Sequence, residues 1–228
     1  MKTKSLFRGL FGLAGLSLLS VLLWSCDEND VDASGMAKIK VVNASPNSAA
    51  QRFFLVDNAL VNQGLNFTEA SDYISTNSGK NLVAEFKNVS SSALTATGWA
   101  YLSDGDSYTI YLAGEGSDER VKQYEDDLSS PASGMARIKF IHFSNEAPSL
   151  LTVKNSSDDD LINTLTRDIE SKYLNVTPGT FSFKVYDFVK KGKIGDYQIP
   201  DLKAGKIYTI YFTGSNSSDI EVHQVIHN

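Results

Sequence analysis

The chain repeats itself, and that decides how it can fold. Ala33-Ser34-Gly35-Met36-Ala37-Lys38-Ile39-Lys40 returns as Ala132-Ser133-Gly134-Met135-Ala136-Arg137-Ile138-Lys139. Ser71-Asp72-Tyr73-Ile74 returns as Ser171-Lys172-Tyr173-Leu174, and Ser107-Tyr108-Thr109-Ile110-Tyr111-Leu112-Ala113-Gly114 as Ile207-Tyr208-Thr209-Ile210-Tyr211-Phe212-Thr213-Gly214. The offset of about 100 residues is the size of a domain, not of a solenoid unit. Each copy must bury its own core. The organisation expected is a first repeat over 36–125, a linker over 126–134 and a second repeat over 135–228. The polar segment from Glu125 to Pro131 marks the join. So short a linker lets the repeats touch or articulate only modestly.

Tyr, Phe, Val, Ile and Thr are frequent after residue 36, and long helical periodicity is missing, so each repeat is expected to be all-β. Ala37 to Val42 alternates, with Ile39 and Val41 on one face and Lys38 and Lys40 on the other. Strands are also expected over Arg52 to Val56 (turning at Asp57-Asn58), Leu82 to Phe86, Phe181 to Tyr186, Arg120 to Tyr124 and Glu221 to Ile226. The most telling pattern is Leu102-x-x-Gly105-x-x-Tyr108, repeated as Leu202-x-x-Gly205-x-x-Tyr208. An inward leucine, a turn glycine and a strand-opening tyrosine describe a tyrosine corner, whose phenol bonds back to the upstream backbone. Two such corners favour two tandem immunoglobulin-like β-sandwiches, with a closed barrel as the alternative.

The first 26 residues carry an address. Lys2, Lys4 and Arg8 precede an apolar run from Gly9 to Leu23, shorter than the ~20 residues of a membrane-spanning helix. The run ends in Leu23-Trp24-Ser25-Cys26, which resembles a bacterial lipobox. Residues 1–25 would then be a signal peptide, and Cys26 the lipidated first residue of the mature chain. Trp24 is bulky for that pattern. The competing reading, a plain signal peptide, leaves the only cysteine as a free thiol in an oxidising compartment. Residues 26–35 read as an acidic, solvated tether. Acidic residues directly after the cysteine also resemble the surface-export signal of some bacterial outer-membrane lipoproteins. The expectation is an outer-membrane lipoprotein facing the medium, or otherwise the periplasm.

Removing the signal takes three cations with it and moves the net charge from −6 to −9. Nucleic-acid binding, which needs clustered Lys and Arg, is therefore not expected. With Cys26 acylated no disulfide is possible, so stability must come from buried apolar area.

The Ala-Arg-Ile-Lys type first strand, the Ser45-Pro46-Asn47 turn, the Val56-Asp57-Asn58 hairpin and Ala204-Gly205-Lys206-Ile207-Tyr208-Thr209 together resemble the family called domain of unknown function 4397. The resemblance covers nearly all of 36–228, in two copies. The first departs from it at Asp104-Gly105-Asp106. The second has Ser144-Asn145-Glu146-Ala147-Pro148 in place of the Ser-Pro-Asn turn. It implies an exported, often lipid-anchored β-sandwich, sometimes called an adhesin. It carries no functional residues over.

Chemistry is sparse. Serine catalysis needs a histidine base and an acidic orienter, but the three histidines, His142, His223 and His227, all lie in the second repeat, and no Gly-x-Ser-x-Gly elbow is present. His142 is expected half-buried beside a core strand. His223 and His227 are expected on one face of an exposed last strand, roughly 13 Å apart and too far for one ion. Asp158-Asp159-Asp160 lacks the spacing of a calcium loop and reads as a solvated hairpin loop. No catalytic residue, cofactor or metal site is expected. The candidate ligand residues are aromatic: Trp99 with Tyr101, which share a strand face opposite Leu102 and for which core or inter-sheet packing is the competing reading, and Tyr111 with Tyr211, for which it is second-face packing or a domain contact. The expected function is a non-enzymatic surface binding or adhesion module for a glycan or protein ligand. The alternatives are an accessory subunit of an envelope assembly and an unrecognised hydrolase.

Overall fold

The computed structural model describes residues 29–216 and 219–228; Cys26 and the signal segment lie outside the described residues. Every described strand belongs to one repeat or the other. The first repeat contains β1 (Asp30–Asn43), β2 (Gln51–Leu55), β3 (Asn58–Leu65), β4 (Ile74–Asn88), β5 (Leu94–Leu102), β6 (Ser107–Ala113) and β7 (Arg120–Glu125). The second contains β8 (Ala136–His142), β9 (Leu150–Asn155), β10 (Asp160–Thr166), β11 (Leu174–Val176), β12 (Gly179–Asp187), β13 (Lys193–Leu202), β14 (Ile207–Asn216) and β15 (Asp219–Ile226).

The second repeat shows the plan most simply. Two four-stranded sheets, ordered β10-β9-β12-β13 and β11-β8-β14-β15, face each other across one core. Phe140, Phe183, Phe212, Val153, Ile138 and Ile210 fill it, all at most 1 % exposed. The protein is all-β and each repeat is a β-sandwich, as expected. Its strand order differs from that of an immunoglobulin constant domain, which runs 1-2-5-4 over 3-6-7. Here the first strand leaves the second and pairs in parallel with the next-to-last: β8 with β14, and likewise β1 with β6. The last strand of each repeat, β15 and β7, completes that sheet.

The first repeat follows the same plan with one change. Position 178 is a proline, and at the corresponding position 78 the chain has serine. Proline has no N–H for the ladder; β11 stops at Val176, β12 starts at Gly179, and the two sheets stay separate. With Ser78 the strand does not stop. β4 runs for 15 residues, pairing first with β1 and then with β2 and β5, and so joins all seven strands into one folded-over sheet.

This continuity corrects the expected tether. Asp30, Val31 and Asp32 are strand, paired with Lys80, Gly79 and Ser78. Asn29 is tied down as well, its Oδ1 accepting from the N–H of Val83 at 2.9 Å. The acidic composition hides a strand because the partner is the uninterrupted backbone of β4, fifty residues away. The approach is close: a Cβ on Gly79 would lie 2.3 Å from the carbonyl oxygen of Asp30. A second, smaller correction concerns the first hairpin. Leu55 pairs with Asn58, so the turn is Val56-Asp57, both with positive φ, one residue earlier than expected.

Both tyrosine corners take the form that their sequence suggests. The Tyr108 hydroxyl accepts from the N–H of Ser103 at 3.1 Å and that of Tyr208 from Lys203 at 2.9 Å. Gly105 and Gly205 adopt φ of +84° and +77°, where a side chain is strained. Leu102 and Leu202 are buried beneath them.

The repeats pack against each other through the sheets that carry the parallel pair. β8 is buried at every residue and β6 at all but its first, on both faces, because a second layer lies on each side. Val42, Ala44, Tyr111, Ala113 and Tyr124 from one repeat meet Ile141, Phe143, Tyr211 and Val225 from the other. The molecule is thus four sheet layers deep, with the β2-β4-β5 face of one repeat and the β9-β12-β13 face of the other outermost.

Candidate functional site

Two places in the molecule concentrate polar and aromatic chemistry: the contact between the repeats, and the outer faces.

At the contact, equivalent residues of the two repeats meet one another, as they do across a two-fold axis. Tyr111 and Tyr211 pack ring to ring, 5.9 Å between centroids. Both are fully buried, and burial pushes both phenols above their ordinary range. As ligand candidates they are therefore corrected: they form the domain contact and present nothing to solvent. Asp126 and His227 occupy matching positions, each donating its backbone N–H to the start of the neighbouring strand, at Ser107 and Ile207. Their side chains meet at 3.5 Å. The Thr109 hydroxyl donates to Asp126 at 2.5 Å, and that of Thr209 lies 2.8 Å from Nε2 of His227. The Tyr73 hydroxyl donates to Asp126 at 2.8 Å and also lies 3.0 Å from Nδ1 of His227. Lys139, 1 % exposed, reaches the Glu125 carbonyl at 2.9 Å, Glu170 at 2.7 Å and Asp126 at 3.5 Å.

These positions overturn several expectations. His227 is buried, not exposed on a last strand, and Asp126 is buried, not part of a solvated linker. His223 is half-buried between Tyr211 and Phe67, with ring centroids 5.2 and 5.0 Å away. His142 is fully buried rather than half-buried, and its Nε2 lies 3.0 Å from the Pro148 carbonyl. Burial lowers His142 and His227 to about 4, so both are neutral at pH 7.

Asp126, His227 and Thr209 are arranged in the order of a nucleophilic triad: carboxylate, imidazole, hydroxyl. The resemblance stops at access. Thr209 sits in mid-strand with no exposure, and a nucleophile must touch substrate. The cluster does structural work, satisfying buried polar groups mutually between the repeats. Among the described residues no group of three or more His, Cys, Asp or Glu could hold a metal ion.

The outer face of the first repeat is open. Strand β5 alternates, with Ala96, Ala100 and Leu102 inward and Thr97, Trp99 and Tyr101 outward. Trp99 is 44 % and Tyr101 54 % exposed. Both are held by the backbone beneath them. Gln123 of β7 acts on β5 as a strand would: its Oε1 accepts from the Tyr101 N–H at 2.9 Å and its Nε2 donates to the Tyr101 carbonyl at 2.7 Å. Phe54 on β2 lies on the same face, with the Lys87 ammonium 4.6 Å above its ring. Beside Tyr101 runs a groove of about 280 Å³ lined by Asp30, Asp32, Ser78, Lys80, Ser103 and Asp104. The unexpected first stretch of β1 forms one wall of it. The Ser34 hydroxyl holds the Asp32 carboxyl below its usual range. The site therefore joins two exposed aromatic rings to carboxylates, hydroxyls and an ammonium on a rigid sheet. It can stack on the apolar face of a ring and hydrogen-bond its edge.

Of the residues singled out in the sequence, Trp99 and Tyr101 come together at this site. The acidic wall could not be found from sequence, because Asp30 and Asp32 reach Tyr101 only through the continuity of β4. Cys26 lies outside the described residues.

Comparison with solved structures returns distant matches. The C-terminal domain of AlgF from P. aeruginosa is 19% identical, covering 41% of this chain and 98% of that one, with a TM-score of 0.29. The family CBM26 module CBMbc of Eubacterium rectale Amy13K, solved with maltoheptaose, is 8% identical, covering 82% and 96%, with a TM-score of 0.29. An α-glucan-recognising family 41 carbohydrate-binding module from streptococcal virulence factors is 12% identical, covering 81% and 96%, with a TM-score of 0.26. Scores this low carry nothing about function, and the fold rests on the strand order above. No curated protein matches the chain. The domain of unknown function DUF4397 matches residues 37–153: the first sandwich from the middle of β1 onward, the join, β8 and most of β9. That is just over half of the chain, which belongs to the DUF4397 family.

Proposed function

We propose that this protein is a non-enzymatic glycan-binding module of the cell envelope, held at the outer membrane by an acylated Cys26 and facing the medium. The observation that carries the binding role is the pair Trp99 and Tyr101, exposed on a strand whose backbone is locked by Gln123, beside a groove of carboxylates and hydroxyls. Such rings cost little entropy to order on binding, because the sheet has already ordered them. The carboxylate–imidazole–hydroxyl arrangement of Asp126, His227 and Thr209 is sealed between the repeats, which favours binding over catalysis. The anchor reading rests on the lipobox-like segment alone.

The chain supplies its own probe. Apart from Trp24 in the signal segment, Trp99 is the only tryptophan. Titration of the fragment from residue 27 onward with maltoheptaose, cellohexaose, xylohexaose and laminarihexaose should shift its emission with at least one sugar, and Tyr101→Ala should weaken that response tenfold or more. An unchanged emission and no heat of binding with every sugar would sink the glycan reading. Orientation is tested by protease shaving of intact cells, with Cys26→Ala as control. Digestion only after the outer membrane is opened would move the protein to the periplasmic side.

A further inference from the structure

The two outer faces share a scaffold but not a chemistry. Strand register sets their positions in correspondence. Phe54 opposite Glu85 becomes Lys154 opposite Lys184, and Arg52 opposite Lys87 becomes Thr152 opposite Tyr186. Val83 opposite Trp99 becomes Ser182 opposite Gln198. The aromatic residue has moved from one strand to its neighbour, and the cation has moved the other way.

Around Tyr186 the second face holds a groove of about 340 Å³, larger than the one beside Tyr101. Thr152, Lys154, Asp158, Asp160 and Asn163 line it with Tyr186. Most of its charges are matched internally, and the ammonium of Lys191, which also lines it, lies over the Phe188 ring at 4.1 Å. Lys154 pairs with Asp160 at 2.8 Å and Lys184 with Asp158 at 2.9 Å, while the Tyr186 hydroxyl donates to Asp158 at 3.2 Å. Asp187 accepts from the backbone N–H groups of Val189 and Lys190. The loop carrying Asp158 is braced by Asn155, whose Oδ1 accepts from the N–H groups of Ser157 and Asp159 at 2.9 Å. A groove whose carboxylates are mostly paired or hydrogen-bonded has little to offer a free cation. It offers an aromatic ring and a rim of closely spaced donors and acceptors, which suits a neutral polyhydroxylated ring.

We infer that this groove is a second saccharide site and that the protein bridges two glycan-bearing bodies. The inference rests on the glycan reading of the first face and extends it. The direction of the faces follows from the packing. The repeats meet through their inner sheets, so the outer faces look away from each other, roughly 30 Å apart across four layers spaced about 10 Å. Two sites facing one way would strengthen the grip on a single surface; two facing apart join separate surfaces.

The test uses the whole mature chain and beads coated with amylose, xylan, laminarin or mannan, together with calorimetry on the matching soluble oligosaccharides. Expected are two binding events per chain and agglutination of the beads. Trp99→Ala and Tyr186→Ala should each remove one event, weakening that site at least tenfold, and each should abolish agglutination. Tyr186→Phe, which keeps the ring and loses the bond to Asp158, should retain the second event in part and shows that the face is still folded. If Trp99→Ala abolishes all binding and Tyr186→Ala changes nothing, the first site stands and the bridging inference is overturned. If the wild type binds two equivalents without agglutinating any bead, bridging is likewise overturned. If it binds none of these glycans and does not respond to cellohexaose, both readings fall together.

Discussion

Ser78 in the first repeat stands where the second has Pro178, and one backbone N–H separates two architectures. With the proline, the sheets of the second repeat are distinct; with the serine, β4 passes from sheet to sheet and recruits Asp30 to Asp32. The inner and outer faces give a second contrast. Tyr111 and Tyr211, Thr109 and Thr209, Lys40 and Lys139, Tyr73 and Tyr173 are the same residue in both copies, and they belong to the contact between the repeats or lie beside it. On the outer faces Trp99 answers to Gln198, Phe54 to Lys154 and Lys87 to Tyr186. Two copies that must bury each other are constrained to agree there. Faces open to solvent are free to differ, and only there can they acquire different ligands.

The largest expected effect comes from breaking the inner contact. Tyr111→Ala leaves a cavity against Tyr211, Phe143 and Tyr124, and should cost about 3–5 kcal/mol in urea unfolding. Trp99→Ala should stay within about 0.5 kcal/mol. Comparable losses for the two would mean that the repeats are not packed as described.

Acid should act on the same contact. The unfolded chain has ordinary histidines near 6.5, while His227 and His142 are lowered to about 4 in the fold. Between those values the unfolded state binds more protons, so stability rises with pH across that window and is lost as pH falls from 6.5 towards 4. Unfolding at pH 7 and at 4.5 should show His227→Gln flattening this dependence by about 2 kcal/mol. Equal slopes for wild type and variant would remove His227 from the account.

The smallest effect sharpens the proline comparison. Ser78→Pro should make the first repeat resemble the second, at a cost of about 1 kcal/mol for a lost ladder bond. Hydrogen exchange should speed up at Val31 and Asp32 and stay slow at Ile39 to Val42. Unchanged protection at Val31 would show that the extension does not depend on β4.

Much of this architecture was legible because its signals are local. Leu102, Gly105 and Tyr108 lie within one turn of chain, and so do their counterparts. The alternation around Leu102 put Trp99 and Tyr101 on one face but left open whether that face was packed; the structure exposes it. What stayed hidden depends on partners far apart in the sequence. Asp126 reads as linker and His227 as a chain end, and only the pseudo-two-fold packing of the repeats buries them against each other. Asp30 reads as a solvated acid because nothing nearby shows that β4 runs past Gly79.

The pinning of Asn29 and Asp30 also limits reach. A solvated segment through Gly35 would leave the first repeat on a leash of about 30 Å from Cys26, at roughly 3.5 Å per residue. Tied to β4 at Asn29, the chain can span at most about 10 Å back to Cys26, at roughly 3.5 Å per residue. In the acylated form proposed above, the first sandwich would ride close against the headgroups. Thermal swinging would then be confined to a shallow cone, and the Tyr101 groove, walled by the same strand, would work within a short distance of the lipid surface.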